Sequence, residues 1–489
     1  MRAIEGRIKQ WVLMAAFGLL AGLNAWAGQQ PNVLFIFIDD QGYYDLACYG
    51  AKEVKTPRID ALAKEGVRFT DFYSAAPICS PSRAALITGS YPRRTGNEIW
   101  VHRPDAVDGI PAEKYTIAEL FKDAGYDTAC IGKWHLGFLD EYLPLSQGFD
   151  YHYGILHNMD QFEVGHFDEL GGIPFMRNNE ILERGVGPDQ LTSKYTDEAI
   201  RWMEEKAKGN KPFFLYLPHT MLHDPLGVSP EFVGTSNWKS KQEYGDAIQE
   251  MDFHTGRLMD TLKRLGIEDN TVVVYTSDNG RWPGRNADQP IRGSKLTAFE
   301  GGLRVPCIVT GTGVRKGHES SVVAHMMDWY PTLASLAGIR VPEKVILDGR
   351  DLSAMLAGKT DEIPAFDPKV SLNADVPLRR EFSQDREWSE HFTQEEFLNA
   401  FFYHGSHGAL AAVRFDRWKM HLHPNLQLFD LVSDPGELDE IKASWPTKAQ
   451  RESKELKDVE AVNAWEIKTK LRGMVIRFQR EMNAYEGGE

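Results

Sequence analysis

The chain has 489 residues, which suits two or three domains, or one large α/β unit with an appendage. Apolar residues make up 42%, charged residues 26% and aromatic residues 11% of it, so the composition excludes a disordered, collagen-like or disulfide-scaffold protein. The formal charge of −15 has the wrong sign for a protein that binds nucleic acid phosphates, and we expect no nucleic-acid partner.

The first 27 residues have the three-part pattern of an export signal. Arg2, Arg7 and Lys9 give a basic start, the stretch Trp11–Gly22 is mostly apolar, and Ala25-Trp-Ala27 has the small residues that a signal peptidase accepts. The apolar stretch is too short to span a bilayer comfortably, so we expect no stable membrane insertion. The pattern favours a signal peptide over 1–27 and a periplasmic or secreted protein, with a buried N-terminal helix as the alternative.

Short apolar runs alternate with helical patterns through most of the chain. Asn32–Ile38 is continuous and apolar and is followed directly by Asp39 and Asp40, as in a strand buried on both faces of a parallel sheet. Further strands are predicted at 127–131, 212–217, 271–276 and 305–309, with helices at 57–65, 116–124, 195–206 and 241–265. This alternation predicts an α/β domain with a mostly parallel central sheet and helices on both faces.

The pattern changes after about Gly358. Ala409–His423 indicates paired strands, Gln427–Val432 precedes the turn signal Asp434-Pro-Gly, and an amphipathic helix is predicted over 461–485. We therefore predict a large domain over 28–375 and a smaller α+β domain with an antiparallel sheet over 376–489.

Polar side chains follow the predicted strands of the large domain. In open α/β sheets, ligands bind beyond the carboxyl ends of the strands, so these side chains are expected to share one site. They are Asp39 and Asp40 after the first strand, Lys133 and His135 after the next, His219 and His223 after the third, and Asp278 and Asn279 after the fourth.

The segment from Cys79 to Gly89 carries the sharpest local signal. Ser80 and Pro81 suit the start of a helix and Gly89 its end. Cys79 then lies just before the helix N-terminus, where backbone N–H groups favour negative charge, and Arg83 lies one turn inside. The local pattern alone leaves open that Cys79 is an ordinary buried cysteine.

Together these residues resemble the signature of the type I, formylglycine-dependent sulfatases of the alkaline-phosphatase-like superfamily. The motifs occur in family order: Asp39-Asp40 with Cys79–Gly89, Gly132–Gly137, Ser277–Gly280, Gly293–Pro306 and Leu428–Glu437. The segments Ile173–Glu180 and Pro212–Tyr216 are similar to those of the arylsulfatase A and N-acetylgalactosamine-6-sulfatase branch. The resemblance implies an alkaline-phosphatase-like fold and a sulfatase catalytic domain over 28–375.

The resemblance also implies the nucleophile and its maturation. In the family the motif cysteine, here Cys79, is converted to formylglycine (3-oxoalanine), whose hydrated gem-diol attacks the sulfate. Ser80, Pro81 and Arg83 match the pattern that a formylglycine-generating enzyme recognises. A gem-diol suits this chemistry because it can expel sulfate by collapsing to the aldehyde, which a serine alkoxide cannot do.

Four further residues match the family's metal ligands. They are Asp39, Asp40, Asp278 and Asn279. An all-oxygen set of three carboxylates and one amide suits a hard cation, Ca²⁺ or Mg²⁺, and not zinc.

The catalytic groups follow from the same match. Lys133 and Lys295 correspond to sulfate-binding lysines, and Arg83 completes a cationic clamp of the kind that stabilises developing charge. His135 corresponds to the base of the elimination step, and His223 to the proton donor for the leaving alcohol.

Some residues near the motifs depart from the family pattern. Relatives often carry Ser where Asn158 aligns, so His157 or Asn158 is a candidate for an altered sulfate subsite. His219 is either a substrate contact or a structural histidine. His102 and the stretch His404–His407 are further candidates for the rim of the pocket.

We therefore expect an exported sulfatase that acts on a sulfated carbohydrate. One alternative is a phosphoester or phosphonate hydrolase of the same superfamily, which would need a Ser or Thr nucleophile or a two-zinc set of His and Asp ligands. The other is an inactive sulfated-glycan binder in which Cys79 stays unconverted.

Overall fold

The computed structural model describes residues 30–160, 165–284, 289–362, 392, 396–397, 399–423, 425–441 and 459–486. The predicted signal peptide over 1–27 and the predicted domain boundary after residue 375 lie outside these residues. Within the described ranges, no helix combines the length and the apolar character needed to cross a membrane.

The strands form three sheets. In chain order they are β1 (Asn32–Ile38), β2 (Val67–Phe69), β3 (Phe72–Tyr73), β4 (Asp127–Lys133), β5 (Tyr151–Ile155), β6 (Pro174–Arg177), β7 (Glu180–Arg184), β8 (Phe213–Pro218), β9 (Thr271–Ser277), β10 (Cys307–Gly311), β11 (His318–Ser320), β12 (Ala324–His325), β13 (Phe401–His404), β14 (Leu410–Phe415), β15 (Trp418–His421) and β16 (Gln427–Asp430).

A ten-stranded sheet with the order β11-β2-β10-β9-β1-β8-β4-β5-β6-β7 is the centre of the large domain. Its middle strands β9, β1, β8, β4 and β5 are parallel, and Val33 of β1 lies between Val272 and Phe214 of its neighbours. This arrangement confirms the mostly parallel sheet. The strand predicted at 305–309 begins instead at Cys307, because the Val305 N–H bonds to the Phe72 carbonyl and Pro306 has no N–H to donate. This strand, β10, runs antiparallel to β9.

Helices cover both faces of this sheet. In chain order the α-helices are α1 (Pro57–Glu65), α2 (Cys79–Thr88), α3 (Ile117–Asp123), α4 (Pro188–Lys206), α5 (Gln242–Arg264), α6 (Glu300–Leu303), α7 (Trp329–Leu336), α8 (Ser353–Leu356) and α9 (Val459–Glu486), of which α9 packs on the C-terminal sheet. Successive side chains of a strand point to opposite faces, so Phe35 packs in one apolar cluster with α2, α3 and α7, and Ile36 packs in the other with α1, α4 and α5. The predicted layers are confirmed.

The smaller sheet near the C-terminus is antiparallel, with the order β13-β14-β15-β16. Phe402 and Val413 of this sheet join the same apolar cluster as α2. The ring of Phe478 on α9 stacks on Phe402 with centroids 4.0 Å apart. The C-terminal elements therefore share a core with the face of the large sheet on which α2 packs.

Candidate active site

Most of the predicted site residues lie at one edge of the large sheet. Asp39 and Asp40 follow β1, Lys133 ends β4, His223 follows β8, and Asp278 follows β9. Because these strands are parallel neighbours, their carboxyl ends meet at the same edge, and all five side chains are buried there.

Cys79 is the first residue of α2, a helix whose ten residues are all buried. Its Sγ lies 3.4 Å from Asp39 Oδ1 and 3.3 Å from Lys295 Nζ. Burial, together with the neighbouring Asp39 carboxylate, raises the pKa of the Cys79 thiol well above its ordinary value. An unmodified Cys79 is therefore a protonated thiol and a weak nucleophile.

Arg83 and Lys133 link the carboxylates around Cys79. The Arg83 guanidinium donates from Nε and Nη2 to Asp278 Oδ2 at 3.1 and 2.8 Å, and from Nη1 to the Lys133 carbonyl at 3.1 Å. The Lys133 ammonium lies 2.5 Å from Asp39 Oδ2. All four side chains have no exposed surface, so these ion pairs are screened very little by solvent.

Asp40 and Asn279 offer oxygens to a cation. Asp40 Oδ1 accepts from Asn279 Nδ2 and from Lys295 Nζ, both at 2.7 Å. Asp40 Oδ2 and Asn279 Oδ1 are buried and have no hydrogen-bond donor among the described residues. Buried oxygens of this kind are costly unless a ligand satisfies them, and a hard divalent cation does so. The residues present therefore fit the Ca²⁺ or Mg²⁺ that the family pattern implies.

The pKa values of Asp278 and Asp39 are shifted in opposite directions by their buried, charged surroundings. Burial and the nearby Asp39 carboxylate raise the pKa of Asp278 to about 7. Burial also acts to raise the pKa of Asp39, but Lys133, His223 and Arg83 outweigh it and the pKa lies well below its ordinary value. One oxygen from each of Asp39 and Asp278 and the Cys79 Sγ lie within 4.8 Å of one another.

His223 reaches the same cluster from β8. Its Nδ1 lies 2.6 Å from the Asp224 carbonyl, to which Nδ1–H donates, and its Nε2 lies 3.3 Å from Asn158 Nδ2 and 3.9 Å from Asp40 Oδ2. Burial and the Lys295 ammonium lower the pKa of His223. The structure therefore brings His223 close to Asp40, and Asn158 close to His223.

The remaining histidines of the prediction have other surroundings. His135 is buried, has a left-handed backbone (φ 62°) and donates its backbone N–H to the Leu156 carbonyl at 2.8 Å. The ring of His157 stacks on Phe167 with centroids 4.9 Å apart. The ring of His219 lies 6.1 Å from Tyr195, and burial lowers the pKa of His219 to about 3.

His404 lies in the shared core rather than beside Cys79. Its ring packs between Tyr91 and Phe478, with centroids 6.0 and 5.9 Å away, and only 1% of the residue is exposed. His102, by contrast, approaches the start of α2, where its N–H donates to Ser80 Oγ at 3.2 Å.

Sequence reasoning missed a tryptophan at this site. The ring of Trp282 lies 5.9 Å from the His223 ring, and Lys295 Nζ lies 5.2 Å from its centroid. The residue before it, Arg281, is fully buried and pairs with Asp45. The one sequence feature that could have pointed to Trp282 is its position three residues after the Asp278-Asn279 pair.

A second missed feature is a buried ionic cluster that joins the C-terminal sheet to the segment carrying Lys295. Lys419 Nζ lies 2.8 Å from Glu300 Oε1 and 3.3 Å from Glu437 Oε1. Glu437 Oε2 accepts the Glu300 N–H at 2.7 Å, and the Gly436 carbonyl accepts the N–H of Arg292 at 2.8 Å. The motif that ends at Glu437 therefore clamps both ends of the Lys295 segment.

Comparison with known proteins gives the family. The sulfatase family model matches residues 31–339. The chain belongs to the sulfatase family. This sulfatase is 37% identical to the dog (Canis lupus familiaris) N-acetylgalactosamine-6-sulfatase over 71% of the chain and 70% of that protein, and 36% identical to human (Homo sapiens) arylsulfatase A over 70% of each. The resemblance is thus confirmed, and the protein is a sulfuric ester hydrolase.

A solved structure extends the likeness over more of the chain. The crystal structure of Ps i-CgsB in complex with k-i-k-neocarrahexaose covers 93% of this sulfatase and is itself covered to 98%, with a TM-score of 0.68 and 26% identity. Its likeness therefore includes the C-terminal sheet as well as the large domain.

Proposed function

We propose that this sulfatase is an exported, formylglycine-dependent enzyme that removes sulfate from a sulfated carbohydrate. The observation that carries the proposal is the position of Cys79 at the start of α2, between Asp39 Oδ1 and Lys295 Nζ. Cys79 has the position of the cysteine that the resembling sulfatases convert to formylglycine, which favours conversion of the residue over direct use of its sulfur. Formylglycine at this position would supply a hydrated aldehyde hydroxyl as the attacking group.

A divalent cation is the second component of the proposal. Asp39, Asp40, Asp278 and Asn279 would hold Ca²⁺ or Mg²⁺, which would supply a Lewis acid beside residue 79. The two buried oxygens without donors, on Asp40 and Asn279, support this assignment. A dication held by these residues adds positive charge to the site and so favours the binding of an anion.

Two lysines of the chain would bind the sulfate group, and Arg83 would position one of the proposed metal ligands. The ammonium groups of Lys295 and Lys133 each contact a carboxylate that is a proposed ligand of the metal ion. When the metal ion binds these carboxylates, the two ammonium groups would be available to the sulfate oxygens. Arg83 holds Asp278 with two of its nitrogens and fixes its direction. Preorganised charges of this kind stabilise the transition state without rearrangement during the reaction.

His223 would protonate the leaving alcohol. Its Nδ1–H is held by the Asp224 carbonyl, so the proton that moves is the one on Nε2, which passes to the ester oxygen as the oxygen–sulfur bond breaks. A bound sulfate adds negative charge beside the ring and favours this protonated form. Asn158 contacts the same Nε2 through its side-chain amide nitrogen at 3.3 Å, and His135 is the proposed base of the later elimination.

Sulfate release by the matured protein tests the proposal. The chain is coexpressed with a formylglycine-generating enzyme and assayed on sulfated galactans, sulfated galactosaminoglycans and an aryl sulfate, with Cys79→Ala as the matched control. We expect release from at least one carbohydrate, none from the control, and a peptide mass that shows conversion at residue 79. No release on this panel by a fully converted protein would contradict the proposal.

Export is tested separately by fractionating the cells of a bacterial host. We expect the mature protein outside the cytoplasm, with an N-terminus just after Ala27. A cytoplasmic protein that keeps residues 1–27 would contradict this part.

A further inference from the structure

Trp282 follows a backbone segment that is held rigidly. Arg281 is fully buried, pairs with Asp45, and lies with its guanidinium carbon 4.7 Å from the centre of the Trp238 ring. Its carbonyl accepts the Lys295 N–H at 2.7 Å. The segment that ends at Trp282 is therefore fixed to the same segment that carries the sulfate-binding ammonium.

The indole of Trp282 borders the reacting groups and solvent at once. Its ring lies 5.9 Å from His223 and 5.2 Å from Lys295 Nζ, while Trp282 itself is partly exposed and the next two residues, Pro283 and Gly284, are exposed. A large aromatic side chain at the mouth of a buried charged site presents apolar surface to whatever enters.

The chemistry of ester cleavage decides what lies against this ring. The ester oxygen must come within about 3 Å of His223 Nε2 to take its proton, and the sulfate must contact Lys295. The carbon that carries the ester oxygen therefore lies on the solvent side of both groups. Of the three side chains, His223 and Lys295 are buried and only Trp282 is partly exposed, so Trp282 is the one that reaches toward that side. A sugar ring offers C–H groups that pack on an aromatic face, whereas inorganic sulfate has none.

We propose that Trp282 is the platform for the sugar ring that bears the scissile sulfate, so that the preferred substrate is a cyclic sugar with a C–H-rich face. This inference rests on the proposed function and goes beyond it by assigning a specificity-determining residue. Trp282 acts on binding of the sugar and not on the transferred group, so its loss raises KM and leaves kcat close to that of the parent protein.

Binding and kinetics of Trp282 variants test the inference. Affinity for a sulfated oligosaccharide that the parent hydrolyses is measured by calorimetry in the Cys79→Ala background, which leaves the ligand intact. We expect Trp282→Ala and Trp282→Leu to weaken binding about tenfold and Trp282→Phe to weaken it less than about threefold. In the active protein KM should rise by the same factors, and inhibition by inorganic sulfate should change less than about twofold.

Three results would overturn the inference. Unchanged affinity in Trp282→Ala or Trp282→Leu would show that the ring does not contact the sugar. Parallel weakening of sugar and inorganic sulfate would show that Trp282 acts through Lys295. Absence of sulfate release by the fully converted parent would instead remove the proposed function itself, and with it the inference, and that result is read before any Trp282 variant is made.

Discussion

Replacing Lys419 by Met tests the ionic cluster that joins the two sheets. The ammonium of this β15 residue has no exposed surface and contacts Glu300 Oε1 at 2.8 Å and Glu437 Oε1 at 3.3 Å. Methionine has a similar length but no charge, so the substitution leaves two buried carboxylates without their shared cation.

The expected loss of stability follows from these contacts. Removing one partner of a buried ion pair costs about 3–5 kcal/mol, because the other charge stays buried without compensation. Here Tyr73 still donates to Glu300 at 2.7 Å, and His421 Nε2 still lies 2.6 Å from Glu437. We therefore expect the lower end of the range, about 3 kcal/mol, in the free energy of unfolding.

Urea unfolding followed by tryptophan fluorescence measures this loss, with Lys316→Met as the matched control. Lys316 pairs with Glu65 at 3.2 Å, but its side chain is 78% exposed, so the same chemical change should cost less than about 1 kcal/mol. A Lys419→Met protein that unfolds within about 1 kcal/mol of the parent, with the same dependence on urea, would refute the reasoning.

Three further predictions concern the site and the pH. Asp40→Asn should weaken Ca²⁺ binding, measured by calorimetry, at least about tenfold, and equal Ca²⁺ affinity of this variant and the parent would count against the metal site. Chelation should lower the melting temperature of the parent until Ca²⁺ is restored. Arg83→Lys keeps the charge but loses the forked contact with Asp278, so kcat should fall about 100-fold while the protein stays folded, and a kcat within about threefold would contradict this role. Burial lowers the pKa of His152, His325 and His404 from 6.5 to about 4. Because the unfolded chain then binds more protons, stability should be lost as the pH falls from about 6.5 to about 4, and an unchanged urea midpoint between pH 7 and pH 5 would exclude this effect.

Local sequence determined the parts of the site that depend on single segments. The apolar run of β1 ends where Asp39 begins, and α2 begins at Cys79, one residue before the start that Ser80 and Pro81 predict. Helix and strand patterns have fixed periods, so the alternation of elements and the layered fold could be predicted from the same residues. For most of these elements the observed boundaries differ from the predicted ones by a few residues. For example, α9 begins at Val459 instead of residue 461.

Only the tertiary structure decided which side chains meet across the sheet. Asn158 reaches His223, Trp282 borders Lys295, and the ring of His404 packs in the core. These contacts join residues far apart in the chain or depend on how loops turn after their strands, and no local periodicity encodes them. The sequence by itself determined that carboxylates, cations and a reactive cysteine would gather at one edge of a parallel sheet. The order of the strands and the packing of the C-terminal sheet decided which of them touch, because both depend on the whole chain burying its apolar faces together.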